Sequence, residues 1–378
     1  ADYNSFFGEG VAGTGTLSTA TGNVGMGWVV LQDLTSGSNN VVLGAAAGHE
    51  INSGNENIII GSSSGESLVG VQEGHVAIGS NALGRMATAN EVNHLTNDVK
   101  LANVALGYYA LSSLSGGGDS NIAIGTYAYG GKTSGDVRGS DNVIIGTRAG
   151  KNLTDSDQNI VIGKDAFSTA STTSKVVAIG HEALKSVNAT GANETVAIGH
   201  SALTALTSGA SNTAIGYEAL KTVATEAQSV AIGYQSMSIS SNSSNNTMVG
   251  YKSGYDLSAG SDNNTGIGHN ALSGTHGSGA SEKNTAIGAG SMVGAIDGAA
   301  HNTAVGYNTL AAVTSGDNNI AIGNNAGAAI TGASQNILIG KNAGTLINNN
   351  SANGTVAIGY EAGLDITSAE SSVLIGNR

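Results

Sequence analysis

Ring-bearing side chains recur at one position of a repeated motif, and they are the first candidates for chemistry. In six successive copies, the residue after the closing glycine of the motif is His181, His200, Tyr217, Tyr234, Tyr251 or His269. Histidines in one column could hold a metal ion, but no cysteine and no well-placed carboxylate joins them. The tyrosine rings could receive the apolar faces of sugars, or they could stack as a ladder that stiffens the structure. Tyr217, Tyr234 and Tyr251 are therefore candidate glycan or receptor contacts.

A long insertion is the second candidate. The closing glycines Gly79 and Gly107 are 28 residues apart, and residues 85–100 fill the extra length. This segment contains Arg85 and His94 together with several carboxylates and amides. A loop of this size on a regular scaffold is a favourable place for binding residues. Arg85 and His94 are therefore predicted receptor contacts, and the alternatives are a tolerated surface insertion or a clamp around a neighbouring chain.

Other chemistry finds less support in the sequence. The acidic loops at 138–142, 260–264 and 315–319 could bind Ca²⁺, although Asp and Asn in tight turns explain them equally well. Acyltransferases built on β-helices have a six-residue period, which this chain lacks, and no catalytic cluster stands out. An ice-binding surface would need a Thr-x-Thr array, and the alternate position here is Ile or Val. We therefore expect no enzymatic activity and no cofactor, with Ca²⁺ as the one cation left open.

Composition excludes several classes of protein. Among 378 residues there are 58 Gly, no Pro, no Cys and 4% aromatic residues. The core must therefore be built from Ala, Val, Ile and Leu, which suits a thin, regular structure. The net charge of −13 argues against nucleic-acid partners and anionic membranes. The chain contains no apolar segment of about 18 residues that could insert into a membrane as a helix.

One repeat fills the chain from residue 23 onward. Its closing glycine recurs 20 times, most often at a spacing of 17 residues, and Asn stands four residues before it in 14 of the 20 copies. An Ile, Leu, Val or Met always precedes the glycine. The predicted structural columns include Asn40, Asn121, Asn212, Asn284 and Asn336; Ile124, Ile215, Ile232 and Ile339; and Gly125, Gly216, Gly233 and Gly340.

These columns predict an all-β chain in which each copy is one coil of a parallel β-solenoid. A coil of 17 residues has room for two short strands and two turns, and each strand pairs with its equivalents about 4.8 Å away. We expect the asparagines to lie at a turn with left-handed backbone angles and to form an amide ladder. The glycines should have positive φ or a close backbone neighbour. Residues 1–22 would form a cap or a degenerate first coil, and residues 23–378 a single domain of about 20 coils.

The predicted strands are apolar at three successive positions, for example Val-Ala-Ile at 230–232. One face of such a strand fills the coil, and the other also needs burial. A loop or another domain could cover that second face. We favour a partner copy of the same chain.

The segments ETVAIGHSAL (194–203), QSVAIGYQSM (228–237) and KNTAIGAGSM (283–292) resemble the head repeat of trimeric autotransporter adhesins of the YadA type. NTAVGYNTL (302–310) is also similar to segments of phage tail-fibre proteins. The resemblance covers residues 23–376 and implies a left-handed parallel β-roll packed as a three-fold rod. The adhesin repeat is shorter, about 14–15 residues, so longer outer loops are expected here.

The resemblance implies attachment as the function. The first hypothesis is a homotrimeric phage tail-fibre shaft or receptor-binding segment on the virion surface, which meets a cell-surface glycan or protein receptor. The alternative is the head of an adhesin on the bacterial cell surface, which binds matrix proteins or glycans. Both locations are extracellular.

Overall fold

A computed structural model shows an all-β chain. It describes residues 3–13, 16–69, 73–84, 102–114, 118–130, 137–188, 191–274, 277, 279–347, 352–368 and 370–378. The chain divides into two compact units, Ala1–Glu194 and Thr195–Arg378. Each unit is a parallel β-solenoid, as the repeat predicts.

Every strand in the described residues of the first unit is three residues long. These strands are β1 (Ser5–Phe7), β2 (Val24–Met26), β3 (Val41–Leu43), β4 (Ile58–Ile60), β5 (Val76–Ile78), β6 (Val104–Leu106), β7 (Ile122–Ile124), β8 (Val143–Ile145), β9 (Ile160–Ile162) and β10 (Val177–Ile179). Each pairs in parallel with the next, without a register shift. β1 comes from the degenerate copy before residue 23.

The second unit repeats the same arrangement. Its strands are β11 (Val196–Ile198), β12 (Thr213–Ile215), β13 (Val230–Ile232), β14 (Thr247–Val249), β15 (Thr265–Ile267), β16 (Thr285–Ile287), β17 (Thr303–Val305), β18 (Ile320–Ile322), β19 (Ile337–Ile339), β20 (Val356–Ile358) and β21 (Val373–Ile375). They are also parallel and in register.

Each coil in the described residues has one strand, so the expectation of two strands per coil is wrong. Left-handed residues explain the difference, because Glu218 and Leu220 have φ of 55° and 51° and turn the chain directly after the strand. The turns still join neighbouring coils through backbone hydrogen bonds. The N–H of Leu220, for example, donates to the carbonyl of Ser236 at 3.0 Å.

The core lies inside the coil and contains small side chains. The middle strand residue, such as Ala214 or Ala231, is fully buried. Ala219 and Leu220 of the turn fill the same interior and are also fully buried. A core built on alanine leaves space for only a narrow coil, and this accounts for the low aromatic content.

The closing glycines confirm both of their predicted constraints. Gly125, Gly216, Gly233 and Gly340 have φ of 131°, 140°, 136° and 136°. A Cβ at Gly216 would overlap the carbonyl oxygen of Gly233 in the next coil. Glycine is therefore required by the backbone angle and by the backbone above it.

Candidate functional site

The asparagine column forms a buried amide ladder, as predicted. Asn302 illustrates the pattern: its backbone N–H and its Nδ2 both donate to Oδ1 of Asn284, at 3.0 and 3.1 Å. Its Nδ2 also donates to the carbonyl of Gly316 at 2.8 Å, and its Oδ1 accepts the N–H of Asn319 at 2.9 Å. The five predicted members are fully buried in the same column: Asn40, Asn121, Asn212, Asn284 and Asn336.

The expected left-handed backbone lies one residue away from the ladder. Within the described residues, positive φ belongs to the residue before each of these asparagines, such as Ser211 (62°), Lys283 (57°) and Gln335 (64°). The prediction that the ladder asparagine itself is left-handed is therefore wrong. The preceding residue makes the turn, and this leaves the asparagine side chain free to point into the coil and bond along the column.

His75 takes the place of an asparagine in this ladder. Its N–H donates to Oδ1 of Asn57 at 2.9 Å, and its Nδ1 accepts the N–H of Asn103 at 3.1 Å. The side chain is 2% exposed, and burial lowers its pKa from 6.5 to about 4. A neutral imidazole can accept this hydrogen bond, whereas a protonated one has no acceptor nitrogen.

A second ladder runs beside the first, and the sequence reasoning did not identify it. Two residues before the asparagine column, a Ser, Asp or Asn side chain accepts the backbone N–H of its equivalent in the preceding coil. Oδ1 of Asp157, Asp262 and Asp317 accepts from Ser140, Ser244 and Ala300 at 2.8, 2.7 and 2.7 Å. The recurrence of Ser, Asp and Asn at this position was the available signal.

This outer ladder assigns a structural role to the acidic loops. Asp262 and Asp317 belong to two of the three loops that could have bound Ca²⁺, and one oxygen of each carboxylate is engaged by a backbone N–H. Among the described residues, no three His, Asp or Glu side chains are grouped so that they could hold a metal ion.

The tyrosine column forms a continuous stack in the second unit. The ring centroids of His200, Tyr217, Tyr234, Tyr251 and His269 follow one another at 5.3, 5.2, 5.2 and 5.0 Å, with interplanar angles of 18°, 8°, 6° and 6°. The three tyrosines are 42–44% exposed. The structure thus brings the predicted Tyr217, Tyr234 and Tyr251 together on the surface.

Polar side chains border this stack. Glu218 follows Tyr217, accepts Nζ of Lys221 at 2.6 Å, and accepts Nε2 of Gln235 at 2.7 Å. These hydrogen bonds lower the pKa of Glu218. The ammonium of Lys252 lies 5.6 Å from the ring centroid of Tyr251 and 5.0 Å from that of Tyr255. Each stacked tyrosine therefore has a polar neighbour of a different type, namely Glu218, Gln235 or Lys252.

Tyr108, which follows the closing glycine Gly107, also has ring neighbours, and they stand in the column one residue further on. Its ring meets Tyr109 and Tyr127 edge-on, with centroids 4.5 and 5.5 Å away. Tyr109 and Tyr127 in turn lie nearly parallel at 5.6 Å. The first unit therefore has its own ring cluster, in which Tyr108 is exposed and Tyr109 and Tyr127 are partly buried. The other predicted contacts, Arg85 and His94, lie outside the described residues, as does the rest of the insertion at 85–100.

The outer strand face forms an apolar surface along each unit. In β2 to β20 the first and third residues of each strand flank a buried middle residue and are partly or fully exposed. The third position includes the predicted Ile124, Ile215, Ile232 and Ile339. Ile267, Ile287 and Ile322 are 38–40% exposed. In the described strands, none of these outward positions carries a charged residue. We refer to the first and third strand positions together as the outer strand face.

No family model matches the chain, and the search of curated proteins found no match. No helix long and apolar enough to cross a membrane occurs in the part of the chain that the structure describes.

Proposed function

We propose that this chain is a structural segment of a homotrimeric attachment fibre of the phage tail-fibre type, without enzymatic activity. The outer strand face is the observation that carries the proposal. Apolar surfaces that continue over many coils are interaction sites in soluble proteins, because their exposure to water is costly.

A second copy of the same chain is the partner that fits this face best. The face repeats once per coil and holds Val, Ile, Leu, Met or Thr at nearly every outward position. An identical solenoid presents the same row with the same period, so that side chains from two copies can interdigitate along the whole contact. The proposal of three chains per particle rests on the resemblance to trimeric adhesin heads.

Attachment is the role that suits such a segment. The coils form a repeating scaffold whose surface offers rings and turns to an external partner, and the resemblance to fibres and adhesins points the same way. The virion surface is the proposed location.

Light scattering on the chain in dilute buffer tests the assembly. The expected mass is three times 37.1 kDa. A mass of 37.1 kDa at all concentrations would contradict the proposal, because the outer strand face would then be stable in water without a partner.

A further inference from the structure

We propose that the stack from His200 to His269 binds an extended, uncharged polysaccharide that lies along the column with one sugar per coil. The inference names a ligand for the attachment role and rests on that proposed function. It starts from three features of the stack: its period, its exposure and its polar border.

The period of the stack matches a polymer better than a single sugar. Consecutive centroids lie 5.0–5.3 Å apart over five coils. An extended β-1,4-linked chain advances by about the length of one pyranose ring per sugar, which is close to this spacing. Successive sugars would therefore meet successive rings at the same spacing, with alternate sugars turned over relative to each other. Each additional sugar would add a similar contact without another cost in rigid-body freedom.

The exposure of the rings leaves room for this contact. Tyr217, Tyr234 and Tyr251 are 42%, 44% and 44% exposed, although each contacts a ring in both neighbouring coils. Stacking fixes their orientation, so little side-chain entropy remains to be lost when a ligand binds. Because the ring faces lie against each other, the rings offer their edges and phenolic hydroxyls, which can pack against the C–H groups of a sugar and hydrogen-bond its hydroxyls.

The polar border supplies hydrogen-bond partners for sugar hydroxyls. Glu218 is held by Lys221 and Gln235 and offers carboxylate oxygens beside Tyr217. Gln235 and Lys252 follow on the next two coils, beside Tyr234 and Tyr251. A carboxylate, an amide and an ammonium group therefore follow one another from coil to coil beside the rings. Together they can accept hydrogen bonds from sugar hydroxyls and donate hydrogen bonds to them.

Charge selects an uncharged polymer. The chain has a net charge of −13, which repels polyanions at long range. Within the border, Glu218 and Lys221 form an ion pair and Lys252 adds one positive charge, so the discrimination against polyanions comes from the net charge of the whole chain. Acidic polysaccharides are therefore disfavoured relative to neutral glucans, mannans and N-acetylglucosamine polymers.

Calorimetry with oligosaccharides of defined length tests this inference. The probes are β-1,4-linked oligomers of glucose, mannose and N-acetylglucosamine with one to six sugars, added to the full chain. The expected result is that at least one series binds more tightly with each added sugar up to about five, the number of stacked rings, and then levels off. The inference is overturned if none of the three series binds, or if affinity does not depend on length.

Two variants locate the binding. Tyr234→Ala removes the central ring and should weaken the best oligomer about tenfold. Tyr307→Ala is the matched control, because Tyr307 occupies the same column at 56% exposure between coils that carry Ala289 and Asn324 there. It should leave affinity unchanged. Equal losses in the two variants would place the ligand elsewhere.

Tyr234→Phe is a second variant at the same position, and it keeps the test informative if Tyr234→Ala misfolds. It keeps the ring and the stack, and it should retain binding to within about threefold. The mass measurement separates this inference from the proposed function. A trimer that binds none of the oligomers overturns only the polysaccharide inference, whereas a monomer that binds them with the expected length dependence overturns only the fibre assembly.

Discussion

At the residue scale, the closing glycine answers two separate requirements. Its φ lies between 130° and 146° throughout the described coils, where an L side chain is strained. The carbonyl of the next closing glycine also occupies the space that a Cβ would need. A substitution should therefore lower the free energy of unfolding by the sum of the two effects.

Two alanine variants separate these effects. Gly233 (φ 136°) and Gly376 (φ 138°) share one backbone conformation, but only Gly233 has a neighbouring coil within 4 Å of the added Cβ. Gly376→Ala should lower the free energy of unfolding by about 1–3 kcal/mol, from φ alone. Gly233→Ala should cost more than about 4 kcal/mol, because backbone must also move. Urea unfolding monitored by circular dichroism measures both, and similar losses would show that the overlap is relieved cheaply.

His75 introduces a pH dependence into the asparagine ladder. Its pKa in the folded chain is about 4, below the ordinary value of 6.5, so folding disfavours the protonated form. The stability it contributes is complete above pH 6.5 and is lost as the pH falls through 4. The full loss amounts to about 3 kcal/mol.

Replacement by the ladder's usual residue should remove this component. His75→Asn can offer an Oδ1 to Asn103 at any pH in this range. We expect it to match the parent near pH 7 and to exceed its stability at pH 4 by up to about 3 kcal/mol. Urea unfolding at both pH values provides the measurement. If the variant loses as much stability between pH 7 and pH 4 as the parent does, His75 does not control the loss of stability in acid.

At the element scale, each rung of the ladder depends on the next. The Oδ1 of Asn302 accepts from Asn319, and its Nδ2 donates to Gly316 inside a buried coil. Removal of this one amide leaves partners in both directions without bonds, in a place where water does not replace them. The ladder thereby links the stability of one strand to its neighbours.

Asn302→Ala should therefore cost about 3 kcal/mol. Asn324→Ala is the control, since Asn324 is an exposed asparagine in the neighbouring coil, and it should change stability by less than about 0.5 kcal/mol. Hydrogen exchange should also show faster amide exchange in β16 to β18 of the Asn302 variant alone. Equal stability of the two variants would show that the ladder contributes little.

At the scale of the whole molecule, the proposed assembly depends on the outer strand face. Ile267 and Ile287 point outward in adjacent strands and are 39% and 38% exposed. A lysine at either position would bring an unpaired charge into the contact between copies, which is strongly unfavourable. The same residues are far less critical for a single coil, because they lie outside its core.

The double variant Ile267→Lys with Ile287→Lys should shift the particle from trimer to monomer. Ile239→Lys is the matched control: Ile239 is 40% exposed but lies in a turn. It should leave the mass at three chains. Light scattering at several concentrations measures both, and retention of the trimer by the double variant would place the interface on another surface.

The sequence alone determined the solenoid, the fixed glycines, the amide ladder and the apolar outer face. Each of these comes from a column that repeats with a constant offset, and stacking places each residue on its own equivalent. The tertiary structure decided that each described coil has one strand, that the left-handed residue precedes the asparagine, that Ser, Asp and Asn form an outer ladder, and that Tyr217, Tyr234 and Tyr251 stack in parallel with half-exposed rings. These features depend on backbone angles and side-chain directions within the variable turns. Periodicity fixes which residues are neighbours between coils, whereas φ values and ring orientations are settled only when the turns pack against each other.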